Sequence, residues 1–155
     1  IIESAAQDNY DLVLVDNGTE AVKEVEKAVE QENPFAVAFI DMKMPGIDGA
    51  ETAKRIFTAD PRIKVVIVTA YSEYTPEDII RITERDDILY LRKPFNREEI
   101  RQFARALTNN WNFEQIRALV SRELENVHKE LEELNRRMKK KIQDLETLLE
   151  DIKLF

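Results

Sequence analysis

All three glycines and all five prolines of this chain fall before residue 95, and neither residue occurs from Phe95 to Phe155. Gly and Pro are the strongest local signals for stopping a helix or turning the chain. The first part must therefore turn repeatedly, whereas the second is free to run as one helix. Its apolar residues recur at helical spacing. Ile100, Phe103, Leu107 and Trp111 share a face, and the stripe continues through Ile116, Val120, Leu124, Val127, Leu131, Leu134, Met138, Ile142, Leu145, Leu149 and Ile152. From Ile116 the steps are 4, 4, 3, 4, 3, 4, 4, 3, 4 and 3, a heptad pattern with two 4-4 stutters that locally unwind a left-handed coil. One narrow stripe on an otherwise polar helix cannot bury enough surface alone. The spacing therefore predicts a parallel dimeric coiled coil, weakest at Asn109-Asn110.

Before residue 95, short apolar runs alternate with amphipathic segments. Asp11-Leu-Val-Leu-Val-Asp16 reads as a strand followed by the Asn17-Gly18 turn. Thr19 to Gln31 reads as a helix with Ala21, Val22, Val25, Ala28 and Val29 on one face. Phe35 to Asp41 reads as a second strand, and Asp48 to Ala59 as a helix with Ala53, Ile56 and Phe57 inward. Ile63 to Thr69 is a third strand. Thr75-Pro76-Glu77-Asp78 opens another helix, with Thr as cap and Pro at the first helical position. Ile88 to Leu91 is a fourth strand, and Asn96 with Glu99 forms a capping box for the last helix. Strands alternating with helices imply an α/β fold with a parallel sheet covered on both faces, which explains strands apolar at nearly every position.

Three of these strands end in chemically useful groups. Asp41 closes one and is followed by a turn through Pro45, Gly46 and Gly49. Thr69 closes the next. Lys93, before Pro94, closes the last. An acid, a hydroxyl and a lysine at the carboxyl ends of parallel strands suit a site that accepts a phosphoryl group, because ligands bind at that edge.

Charge and composition narrow the classes. Residues 1–95 hold 11 Lys+Arg against 19 Asp+Glu, a net of −8, and residues 96–155 hold 12 of each. The acidic half argues against nucleic-acid binding, which needs clustered positive charge. The balanced half suits a solvated helix laced with ion pairs. The chain has no cysteine, which removes disulfides, thiol nucleophiles and thiolate metal sites, and one histidine makes no zinc cage. No signal peptide and no membrane-length apolar run is visible, so a cytoplasmic location and no membrane partner are expected. His128 and the basic run Arg136, Arg137 and Lys139–Lys141 read as solvated coil flanks.

Taken together, Asp41-Met-Lys-Met-Pro-Gly-Ile-Asp-Gly49, Thr69-Ala70 and Lys93-Pro94 resemble the receiver domains of bacterial two-component response regulators over residues 1–107. The resemblance implies a flavodoxin-like, doubly wound sheet of strand order 2-1-3-4-5, with residues 108–155 as a coiled-coil dimerisation and signalling helix. It implies that Asp41 is the phosphoacceptor, served by Lys93 and Thr69, with Thr69 and Tyr90 as the switch pair and a cis bond between Lys93 and Pro94. A carboxylate attacking phosphorus to form an acyl phosphate fits that role. Asp41 and the backbone carbonyl of Lys43 would be ligands for Mg²⁺. The implied partners are a histidine kinase or phosphotransfer protein and a second copy of the chain. No enzymatic activity is implied beyond self-catalysed phosphorylation and dephosphorylation. The family's first strand and its pair of metal-binding acids do not appear; Ile1 to Gln7 reads as the end of the helix that follows them, so both are expected to precede Ile1. The alternative is a pseudo-receiver, a structural dimerisation module that is never phosphorylated.

Overall fold

The computed structural model describes residues 10–70 and 74–153. The expected helix end at Ile1 to Gln7 lies outside them. The elements are α1 (Gly18–Glu30), β1 (Val37–Asp41), α2 (Gly49–Ala59), β2 (Lys64–Thr69), α3 (Pro76–Thr83), β3 (Leu89–Arg92) and α4 (Arg97–Lys153). The chain divides into a compact unit, Ile1–Phe113, and a second unit, Glu114–Phe155.

β1, β2 and β3 form a parallel sheet in that order, with Asp41 opposite Val68 and Thr69 opposite Arg92. Both faces of the sheet are covered, and successive residues of β2 show how. Val65 and Ile67 join one apolar cluster with Ile40, Ile56, Ile79 and Ile88. Val66 and Val68 join another with Leu91 and Ile100, against which Phe103 and Leu107 pack. The two-residue side-chain period of a strand thus feeds two cores at once.

The helices begin where their capping residues dictate. Asn17 accepts from the Glu20 amide at 2.9 Å, and Asp48 from the Glu51 amide at 2.9 Å. Thr75 and Asp78 form a reciprocal capping box, with Pro76 at the first helical position. Asn96 accepts from the Glu99 amide at 3.0 Å while the Glu99 carboxylate accepts from the Asn96 amide at 2.7 Å. α4 then passes through Asn109-Asn110 without a break.

One expected strand is absent. Residues 11–16, read from the sequence as a strand, carry no strand assignment, and the described sheet has three strands. Leu12, Val13 and Leu14 are 38%, 48% and 55% exposed. A strand is defined by its ladder, and an apolar run with no neighbour to exchange hydrogen bonds with cannot become one. Among the described residues nothing lies between this segment and β1, and the two line a common apolar cleft. β1 shows the same deficit: Val37, Ala38 and Phe39 are only half-buried, whereas Val65 to Val68 in β2 are at most 2% exposed.

Candidate functional site

The carboxyl ends of the three strands lie side by side. β1 delivers Asp41 to the rim, where the Met42 amide donates to the Val68 carbonyl at 2.9 Å and so extends the ladder one step past the acid. The chain then reverses. Gly46 sits at φ 86°, a left-handed conformation open to glycine without cost. Gly49 closes the loop back on its origin: its amide donates to the Met42 carbonyl at 3.0 Å, and a Cβ there would lie 2.6 Å from the Asp41 carbonyl oxygen. Only a residue without a side chain allows that approach, so the acid's backbone is clamped from beneath.

Asp41 is half-buried and has two partners. The Lys43 amide donates to Oδ1 at 3.2 Å. Lys93 Nζ donates to Oδ2 in a close, charge-assisted contact. The Lys93 amide donates to the Thr69 carbonyl at 2.8 Å, which seats the lysine at the end of the ladder beside the acid. The following Lys93–Pro94 bond is cis. Of the residues singled out in the sequence, the fold thus joins Asp41 to Lys93 directly. Thr69 stands one position beyond the residue that faces Asp41 across the ladder.

Tyr90 packs against the cluster on the α1–α3 side of the sheet. Its hydroxyl oxygen is buried and has no hydrogen-bond partner among the described residues. Burial pushes the phenol's pKa above its ordinary value, and the negative charge of Glu77 adds to the effect. The side chain therefore stays a neutral phenol at neutral pH.

A cleft of about 600 Å³ opens over Asp41, lined also by Asp16, Lys43, Met44, Pro45, Lys93 and Phe95. As donors for a metal, the described residues of this cleft offer the Asp41 carboxylate, already engaged at both oxygens, the Lys43 carbonyl and the Asp16 carboxylate. No group of three or more acidic or histidine side chains among them is arranged to hold an ion. They do not by themselves make a Mg²⁺ site.

Sequence reading passed over two residues at this rim. Tyr74 Oη donates to Asp48 Oδ2 at 2.8 Å, joining the segment after β2 to the end of the Asp41 loop. Asp48 was legible only as the start of a helix and as part of the Asp41–Gly49 stretch. The contact spans 26 sequence positions, and no local pattern could have announced it.

Comparisons with known proteins bear on this arrangement. Sporulation initiation phosphotransferase F of Bacillus subtilis (strain 168) is 38% identical over 96 residues, 61% of this chain and 71% of that protein. Transcriptional regulatory protein ZraR of Klebsiella oxytoca is 32% identical over 91 residues, 59% of this chain but only 19% of its own length. Among solved structures, a response regulator receiver domain protein (CheY-like) from Methanospirillum hungatei JF-1 aligns with a TM-score of 0.60 at 18% identity, covering 73% of this chain and 86% of that one. An adenylate cyclase from Rhodopirellula baltica aligns with a TM-score of 0.66 at 18% identity, covering 77% and 84%. At that identity the structural likeness speaks to the fold alone. Receiver domains are signalling modules that generally bind Mg²⁺ and meet histidine kinases or phosphotransfer proteins. No helix among the described residues is long and apolar enough to cross a membrane. The model of the response regulator receiver domain matches residues 1–105, and with the parallel sheet and the acid–lysine pair at its rim this chain belongs to the receiver family of two-component response regulators.

Proposed function

We propose that Asp41 accepts a phosphoryl group from a histidine kinase or phosphotransfer protein, and that the change is relayed through a dimer formed by residues 108–155. In the transfer, an Asp41 carboxylate oxygen attacks the phosphorus of a phosphohistidine. The new P–O bond forms as the P–N bond breaks, and the electron pair leaves on the imidazole nitrogen. Lys93, paired with the carboxylate beforehand, then balances charge on the phosphoryl oxygens. Thr69 donates its hydroxyl to the same group, and Tyr90 follows it. The observation that carries this reading is the Lys93–Asp41 contact in an open cleft at the carboxyl edge of a parallel sheet.

The relay rests on the stripe from Ile116 to Ile152, whose members are 51–68% exposed where their side chains are described. A second copy presenting the same stripe would cover it. Output then depends on whatever module the coil serves.

The pseudo-receiver reading is favoured by one observation, the sparse set of metal donors around Asp41 among the described residues. Incubation with acetyl phosphate and Mg²⁺, followed by intact-mass measurement, separates the two. The phosphoacceptor reading expects one added phosphoryl group on the wild type and none on Asp41→Asn. An unlabelled wild type, or a label that survives the substitution, overturns it.

A further inference from the structure

The apolar stripe on the later turns of α4 runs straight along its helix. Between Ile116 and Ile152 its ten steps span 36 residues, a mean of 3.6, which is the turn of an undistorted α-helix. Leu134 stands at the midpoint, 18 residues from either end. A stripe that does not wind keeps the same flanks along its whole length. On one flank, about 60–100° from the stripe centre at about 100° per residue, lie Leu119, Glu123, Glu130, Arg137, Lys141 and Leu148. Their order is apolar, acid, acid, base, base, apolar. Leu119 and Leu148 are 61% and 57% exposed, although neither belongs to the stripe. The charges near the midpoint are segregated as well. Glu130, Glu132 and Glu133 precede Leu134, and Arg136, Arg137 and Lys139 to Lys141 follow it. Within the helix Arg137 meets Glu133 only at 4.0 Å, with both side chains well exposed.

We propose that a second copy of this chain covers the stripe in the antiparallel direction, crossing at Leu134. The direction rests on the reading of residues 108–155 as a dimer, and it replaces the parallel one expected from the spacing. A two-fold axis through Leu134, perpendicular to the helices, turns the same flank of each toward the other. With Leu134 facing its counterpart, Ile116 faces the partner's Ile152, and every stripe residue meets an apolar residue within one position. Leu119 then covers the partner's Leu148, and Glu130 lies between the partner's Arg137 and the partner's Lys141. Each contact occurs twice by symmetry. On the other flank His128 lies by the partner's Lys139, which does not repel a neutral imidazole. A parallel pair sets each flank against the opposite one. Leu119 would then face Ser121 and Leu148 would face Glu146, with acid block beside acid block and basic block beside basic block. Flanking charges of this kind set the orientation of paired helices. In the antiparallel pair the two chains enter the seam from opposite ends, about 55 Å apart at the helical rise. A change in either receiver therefore reaches the seam through its own α4.

The chain has no cysteine, so single thiols report contacts without interference. Ile116→Cys and Ile152→Cys are made in the full chain and equilibrated in a glutathione buffer, each alone and mixed in equal amounts. Non-reducing mass measurement reads the disulfides. The mixture is expected to join position 116 to position 152 about tenfold or more above either self-link, because a disulfide forms only between close Cα atoms. Self-linking of either variant at the level of the mixed product overturns the proposal, and so does the absence of any link. A second measurement needs no cysteine. Glu130→Lys should weaken self-association in sedimentation about tenfold at low salt, and adding Arg137→Glu and Lys141→Glu to the same chain should restore it. Failure to restore association overturns the antiparallel direction and leaves the dimer standing. A wild type that stays monomeric at every concentration overturns the dimeric relay and this inference together, while the reading of Asp41 is tested separately by its label.

Discussion

The opening turns of α4 and its later turns have the same apolar spacing and different fates. Ile100 is fully buried and Ala104 nearly so, whereas Leu131 and Leu134 are 53% and 54% exposed. Periodicity is a property of the chain, and burial is a property of what faces it. Ile100 meets Val66, Val68 and Leu91 of the sheet. The later stripe stays exposed. Apolar area removed from water contributes about 25 cal/mol per Å², so the first turns are stabilised within one chain and the later ones need another.

The largest expected effect is in the receiver. Ile100→Ala should lower its unfolding free energy by about 2–5 kcal/mol, the range for truncating a buried isoleucine. Urea titrations should give the same loss at every protein concentration. Leu134→Ala should behave in the opposite way. Receiver stability should change by no more than about 0.5 kcal/mol, as for an exposed site, while self-association measured by sedimentation should weaken about tenfold or more. If Leu134→Ala left association untouched, the stripe would not be the dimer seam and the contrast between the two stretches would lose its meaning.

The smallest expected effect comes from Tyr90. Burial and Glu77 hold its phenol pKa above the ordinary value in the folded state. The unfolded chain then releases this proton first as pH rises. The contribution is complete below about pH 10, the ordinary tyrosine value, and is lost as pH climbs through the raised folded value. Urea midpoints measured from pH 8 to 11 should fall at the alkaline end, and Tyr90→Phe should flatten that fall. An identical profile for the variant would mean that the hydroxyl is not desolvated as the fold implies.

Features made by near neighbours in the chain were legible from the residues. The Thr75 cap and the Asn96–Glu99 capping box have their partners within one turn, and both formed. β2 was legible because its run is apolar at every central position. The run at Leu12 to Val15 looks equally strand-like and misled for that reason: composition reports a tendency to pair, and pairing takes a neighbour. At the rim, the residue types of Asp41, Thr69 and Lys93 were visible in order along the chain. Their approach came only from the alternation of strands and helices and from the family resemblance, not from local pattern, since the lysine lies 52 positions from the acid it contacts. Tyr74 carried no signal at all.

By itself the sequence determined what depends on contacts a few residues apart: where helices start, which faces are apolar, and which groups end the strands. Only the tertiary structure decided which apolar surfaces found a partner and which polar groups met. Those outcomes depend on loop closures over tens of residues, whose cost rises only slowly with length. Local pattern therefore does little to select among distant partners, and the selection falls to packing of the whole sheet.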